Sequence, residues 1–266
     1  METRGPVNSD VKKEAVPEKS NKKEASSKSS TTAPAITSTA TGTIAITFDD
    51  GPIKEATEEV ISALGTEHAT FFLTGKSLVS DPKEQKRLVE LELSKGHQIA
   101  NHTYSHEPFK KEQNEKYGDL SDPEKKKEFL ENFKKNDKYF KKFLADSSTK
   151  FSGFELARLP GDGKMMKDKQ GHHTFIDSLQ NDLGLVHVGW DFEFAPNGVM
   201  STHLKVFDWQ KQEGVASEVS GLPKDGDVVL LHDMHWKGKG SILKKLIDFL
   251  KTKFKLGKLN KSGKVS

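Results

Sequence analysis

Thr43-Ile44-Ala45-Ile46-Thr47-Phe48-Asp49-Asp50-Gly51-Pro52 runs from a short apolar stretch straight into two adjacent carboxylates and a Gly-Pro stop. Thr43–Phe48 reads as a strand, and the stop places both acids at its carboxyl end. In parallel α/β architectures that end carries the active site. Two neighbouring acids there can divide labour, one holding a metal ion and the other moving a proton. Asp-Gly-Pro is equally good turn chemistry, so the stretch is decisive only together with the rest of the chain.

Strand and helix signals alternate downstream. The pattern predicts a helix over Glu55–Leu64 closed by Gly65, a strand over Ala69–Leu73, a helix over Pro82–Ser94 and a short strand over Gln98–Asn101. Ser121-Asp122-Pro123-Glu124 has the form of a capping box, with Glu three residues after Ser. The helix it opens carries Phe129, Phe133, Phe140 and Leu144 at mostly helical spacing, and its many lysines read as a solvated face. Further strands are expected near Phe154–Leu159, over Leu185–Phe194 and over Val228–His232. Helices are expected near Thr174–Leu183, near Trp209–Ser220 and over Ile242–Phe254. Such alternation implies an α/β fold with a parallel sheet, open or closed into a barrel.

Composition bounds the rest. The 266 residues include 42 basic and 39 acidic side chains, a net charge of +3. A balanced surface of this kind does not argue for nucleic acid, which demands a concentrated basic face. No apolar run is long enough to span a membrane as a helix. Cysteine is absent, so any metal must be held by His, Asp or Glu. Residues 1–42 are rich in Lys, Glu, Ser, Thr and Ala, with few apolar side chains. They read as a disordered tether, with a folded domain over 43–256 and a flexible tail over 257–266 after it. No apolar core of a signal peptide lies in residues 1–30. The tether nevertheless argues for an extracytoplasmic protein placed after a removed signal or anchor. Nothing in the sequence specifies an oligomeric state.

Four further stretches fall at expected strand ends. His102 and His106 come after Gln98–Asn101 and stand at i and i+4, so two imidazoles meet on one helical turn and can grip one cation. Asp50 with His102 and His106 would give a two-His, one-carboxylate site with an open position, the ligand set of a catalytic metal. Arg158-Leu159-Pro160-Gly161 sets an Arg where it can orient a carboxylate. An ordinary surface ion pair is the plainer reading. Trp190-Asp191-Phe192-Glu193-Phe194 alternates, so Asp191 and Glu193 share one face of a strand. Two such acids need a cationic neighbour. Val228-Val229-Leu230-Leu231-His232 delivers a His at the end of the most apolar strand.

Taken in order, these stretches resemble the polysaccharide deacetylases of the NodB-homology type, carbohydrate esterase family 4. Thr-Phe-Asp-Asp-Gly-Pro, His-Thr-x-x-His, Arg-x-Pro and Leu-His occur in the family's order, and Ala69-Thr70-Phe71-Phe72 is a further family-like strand. The resemblance implies a distorted (β/α) barrel with fewer than eight strands. It implies one divalent ion, Zn²⁺ by family habit, on Asp50, His102 and His106. Asp49 would be the general base, Arg158 would hold Asp49, and His232 would be the general acid, kept cationic by an acid of the Trp190–Phe194 stretch. Leu231, Gly161 and Trp190 would face the substrate. The family's fourth motif ends in Asp-Trp, whereas this chain has Asp191-Phe192 and Glu193-Phe194. Asp191 is favoured as the partner of His232 for its shorter side chain, with Glu193 as its rival. The implied reaction is removal of N-acetyl groups from a glycan, foremost N-acetylglucosamine of peptidoglycan. Chitin, poly-N-acetylglucosamine, O-acetyl xylan, a non-catalytic glycan-binding module and a cytosolic small-molecule amidase are the other readings.

Overall fold

A computed structural model describes residues 40–76, 81–106, 122–148, 150–161, 172–194 and 222–266. The tether and the helix expected near Trp209–Ser220 lie outside the described residues, apart from positions 40–42 of the tether. In chain order the elements are β1 (Thr43–Gly51), α1 (Ala56–Leu64), β2 (Thr70–Leu73), α2 (Pro82–Ser94), β3 (Gln98–Asn101) and α3 (Pro123–Phe143). Next come β4 (Leu156–Ala157), α4 (His172–Leu183), β5 (Val186–His187), β6 (Phe192–Glu193), β7 (Val228–His232), α5 (Gly240–Lys251) and β8 (Lys255–Gly257). A 3₁₀ turn, Asp233–Trp236, is attached directly to the end of β7.

All strand pairings are parallel. The sheet runs β5-β4-β3-β2-β1-β7-β6, and β8 pairs with the start of β1 off this path. Curled and flanked by helices, it is a distorted (β/α) barrel, with no pairing between β5 and β6 among the described residues. Side chains alternate across β1 as strand geometry requires. Ile44, Ile46 and Phe48 join the large cluster that includes the apolar stripes of the helices, such as Val60, Phe133 and Leu246. Ala45 belongs to a second, smaller cluster with Phe72, Ala100, Leu156 and Val228. Thr47 and Asp49 continue that second face towards the carboxyl end.

Three expectations need correction. The helix cap is Asp122, not Ser121: its Oδ1 accepts the N–H groups of Glu124 at 2.9 Å and Lys125 at 3.3 Å. An Asp immediately before a Pro at the first helical position meets the capping requirement one residue later than the Ser pattern suggests. The continuous strand expected over Leu185–Phe194 is two strands of two residues each, because β5 joins β4 at one end of the sheet and β6 joins β7 at the other. The tail expected to be flexible from 257 is folded. Gly257 closes β8, Leu259 and Val265 form an antiparallel bridge, and Asn260 Oδ1 accepts the N–H groups of Ser262 and Lys264. Asn-Lys-Ser-Gly is turn chemistry that a polar composition conceals.

Candidate active site

The carboxyl ends of β1, β3, β4 and β7 bring the expected residues together. Asp49 is buried and bound through Oδ1 to Arg158 Nη1 at 2.7 Å. The Arg158 guanidinium is fully buried, and its fork is spent on four acceptors. Nη1 also donates to Thr47 Oγ1 at 2.9 Å, Nε to the Val188 carbonyl at 2.9 Å, and Nη2 to the Gly189 carbonyl at 3.1 Å. The guanidinium lies 4.0 Å from the Phe72 ring centroid and 5.6 Å from that of Trp190. This is a buried pair with nearly all its hydrogen-bonding capacity met, the condition under which a buried charge is tolerable. Asp49 Oδ2 is thereby left facing the site, 3.5 Å from His102 Nε2.

Asp50 stands at φ 71°, a strained angle for a residue with a side chain. Its Oδ1 lies 3.4 Å from His102 Nε2 and 3.0 Å from His106 Nε2. His102 Nδ1 is 2.9 Å from the Arg158 carbonyl. A carbonyl can only accept, so Nδ1 carries the proton and the Nε2 lone pair is turned towards Asp50. One ligand atom from each of Asp50, His102 and His106 lies within 4.8 Å of the others. Asp50 Oδ1 is buried, yet no hydrogen bond of good geometry reaches it. An orphaned carboxylate oxygen between two imidazole nitrogens fits a divalent cation.

The three groups also bias one another's protonation. Burial alone would raise the Asp50 carboxyl, but the two imidazoles overcome it and hold the group well below the usual carboxylate range. Burial disfavours a charged His102, yet Asp49 and Asp50 outweigh it and raise the imidazole. Glu193 is pushed up to about 7 by burial and then by the charge of Asp49, with Arg158 partly opposing.

On the other wall, the acid beside His232 is Glu193, whose Oε1 lies 3.7 Å from His232 Nδ1. The register explains why Asp191 does not take this place. Glu193 aligns with Leu230, so His232 is two residues on and on the same face. Asp191 falls beside Val228, at the far end of β7, where its Oδ2 accepts the Val228 N–H at 3.1 Å. Burial pushes the His232 imidazole down, and Asp49 and Asp50 only partly offset it. Leu231 is likewise displaced from its expected place. It belongs to the helix-facing core with Phe48 and Trp236, and alternation gives the face of His232 to Leu230. Trp190 is half-buried beside Arg158, and Gly161 is exposed at φ 71°.

Sequence reasoning missed two further contributors. Thr47 Oγ1 donates to the Val229 carbonyl at 2.9 Å while accepting from Arg158. Its signal was its position two residues before Asp49, on the same face. Asp233 is fully buried behind β1, bound to Thr57 Oγ1, and is pushed up to about 7 by burial.

Comparison with known proteins gives the family. Residues 37–153 match the family model described as polysaccharide deacetylase. A peptidoglycan-N-acetylglucosamine deacetylase of Bacillus cereus is 30% identical over 196 residues, covering 71% of this chain and 72% of that protein. A protein of the same description from Listeria monocytogenes is 39% identical over 71 residues, 26% of this chain. That match spans 14% of the Listeria protein's length. Among solved structures, the catalytic domain of a peptidoglycan N-acetylglucosamine deacetylase from Eubacterium rectale aligns with TM-score 0.57 at 20% identity, covering 84% of this chain and 91% of that one. A family 4 carbohydrate esterase from Streptomyces lividans aligns with TM-score 0.56 at 19% identity, over 85% and 98%. At these identities the structures speak to the fold.

Proposed function

This chain belongs to the polysaccharide deacetylase family, and from that premise we propose that it hydrolyses N-acetyl groups of a glycan with the help of one divalent ion, Zn²⁺ by ligand type. The observation that carries the reading is the convergence of Asp50, His102 and His106 beside an Asp49 that Arg158 fixes by one oxygen. Asp50, His102 and His106 would hold the ion, and when bound it would polarise the acetyl carbonyl and lower the pKa of water.

The chain's own groups account for the proton transfers. Asp49 Oδ1 is engaged by Arg158, so Oδ2 is the oxygen that takes a proton from the attacking water. The water oxygen bonds to the acetyl carbon as the C–N bond breaks. His232 Nδ1 faces Glu193, which leaves Nε2 to deliver a proton to the departing amine nitrogen. Acetate and a free amino sugar result. The Gly161 N–H is placed by this reading as a donor to the developing oxyanion. Burial keeps the imidazolium of His232 acidic enough to release its proton to the amine.

Peptidoglycan N-acetylglucosamine is the substrate we infer, supported by the Bacillus cereus relative whose match covers most of both chains. That substrate places the protein outside the cytoplasm. Among the described residues no helix is long and apolar enough to cross a membrane. The test is acetate release from peptidoglycan, chitin oligomers, poly-N-acetylglucosamine and acetylated xylan. It is run before chelation, after it, and after Zn²⁺ is returned. Activity on peptidoglycan that chelation abolishes and Zn²⁺ restores is expected. Undiminished activity in metal-free protein would sink the metal reading, and activity on xylan alone would replace the amide substrate with an ester. Asp49→Asn should lower turnover on the preferred glycan by about a hundredfold or more while metal content stays normal.

A further inference from the structure

The two histidines of the site are held in different ways. His102 is buried and its ring is fixed by the Arg158 carbonyl. The His106 side chain is 39% exposed, and among the described residues its ring meets only the other candidate ligands, Asp50 Oδ1 at 3.0 Å and the His102 ring at 4.9 Å between centroids. Its position depends on the turn 102–106, and two non-glycine residues of that turn stand at positive φ, Thr103 at 67° and His106 at 49°. A turn in such a conformation relaxes unless its surroundings over-determine it.

The surroundings are supplied by α3. Asn132 Oδ1 accepts the N–H of Tyr104 at 2.8 Å and that of Ser105 at 3.1 Å, while its Nδ2 donates to Ser105 Oγ at 2.7 Å. One side-chain amide thus accepts two bonds from, and donates one to, two consecutive residues lying between the two candidate ligands. The other N–H groups of the turn are met from inside it or from β2 and β3. Thr103 donates to Asn101 Oδ1 at 3.0 Å, His106 to Thr103 Oγ1 at 3.1 Å, and His102 to the Leu73 carbonyl at 3.0 Å. A second asparagine of α3, Asn136, is fully buried and donates to both Asn101 Oδ1 at 2.8 Å and the Leu73 carbonyl at 2.9 Å. It registers α3 against β2 and β3 and so fixes where Asn132 stands.

The geometry points to Asn132 as a positioning residue for the metal centre, one that sets the reach of His106 through the backbone without touching the ion. This rests on the reading of Asp50, His102 and His106 as the metal ligands. A carboxamide suits the task because it offers an acceptor to two N–H groups and a donor to a hydroxyl at once. Alanine removes all three bonds and leaves the strained turn to relax. Aspartate keeps the double acceptor, and the Ser105 hydroxyl can rotate to donate.

The experiment measures Zn²⁺ affinity by competition with a chromophoric chelator, together with the visible absorption of the Co²⁺ form. It compares the unmodified protein, His106→Ala, Asn132→Ala, Asn132→Asp and the exposed α3 control Lys134→Ala. Asn132→Ala should bind Zn²⁺ about ten- to a hundredfold more weakly, as loss of an outer-shell support does, with an altered Co²⁺ band. Asn132→Asp should restore both, and Lys134→Ala should match the unmodified protein. If His106→Ala binds as tightly as the unmodified protein, the ligand reading itself fails. If His106→Ala is weakened but Asn132→Ala is not, the positioning role is overturned. Should Asn132→Ala not fold, hydrogen exchange on the unmodified protein decides. Protected Tyr104 and Ser105 amides support the clamp, and amides exchanging at unprotected rates overturn it.

Discussion

The middle of the sheet and its two ends are built from strands of different length. In the middle, β1 has nine residues, β7 five, and β2 and β3 four each. At the ends, β4, β5 and β6 have two each. The middle carries Asp49, Asp50, His102 and His232 at or just beyond its carboxyl edge, and the ends carry or adjoin Arg158, Trp190 and Glu193. Long strands fix their residues by repeated pairing. Two-residue strands have no ladder to do this, so their functional side chains are fixed by bonds reaching back to the middle.

Arg158 is the strongest such bond, and removing it is the largest perturbation. Arg158→Met should destabilise the protein by about 3–5 kcal/mol, because it leaves Asp49 buried without its cation, and should abolish acetate release. Urea unfolding measures the first and the glycan assay the second. A loss below about 1 kcal/mol would mean that β4 is held to β1 by something other than this guanidinium. Arg158→Lys should not rescue, since an ammonium cannot reproduce a fork shared among four acceptors.

The next test separates the two acids of the opposite end. Glu193 Oε1 stands 3.7 Å from His232 Nδ1, so a carboxylate charge there would favour the imidazolium that burial disfavours. Glu193→Gln should therefore move the alkaline limb of the pH–rate profile to lower pH, by roughly one unit. Asp191→Asn should leave that limb in place, because Asp191 stands beside Val228. A shift with Asp191→Asn alone would refute the register argument.

The smallest effect tests the middle. Asp233 is buried with its folded pKa raised to about 7, so the native state holds its proton more tightly than the unfolded chain does. The stability it contributes is complete below the ordinary carboxylate pKa and is lost as pH rises through about 7. In metal-depleted protein, Asp233→Asn should melt a few degrees higher than the unmodified protein near pH 8, and no higher near pH 4. Equal melting temperatures at both pH values would show that Asp233 is not charged against burial at all.

The same contrast explains how much of the molecule is legible in its sequence. In the middle, apolar runs end on acids or histidines, and the bounds of α2 and β3 come from Pro82, Gly96 and the Gln98–Asn101 run with no adjustment. Periodicity also puts Asp50 at one strand end and His102 and His106 at the next but one, with β2 between them in the sheet. At the ends, Leu185–Phe194 looks continuous because apolar residues recur throughout it, although its two short strands lie at opposite margins of the sheet. Which of Asp191 and Glu193 faces His232 is a question of register with β7, and register between short strands is not written in either strand alone. Leu231 is misplaced for a simpler reason, since alternation from His232 selects Leu230. Asn132 and Asn136 are invisible because a helical asparagine in a lysine-rich segment signals nothing until the helix is docked.

The pairing of β1 carries a consequence for how the chain comes to be folded. One partner of β1, β2, begins about twenty residues after it, as Thr47 pairs with Thr70. The others, β7 and β8, arrive far later, with Ala45 beside Val228 and Thr43 beside Lys255. At ordinary synthesis rates an emerging chain would wait on the order of 10–40 s between making β1 and making β7. Throughout that interval the longest strand among the described residues has an unpaired edge, the state most exposed to wrong partners. Folding of this barrel is thus a closure performed from the carboxyl-terminal side, and its slow step is expected to be the docking of β7 and β8 onto a β1 that has long been waiting.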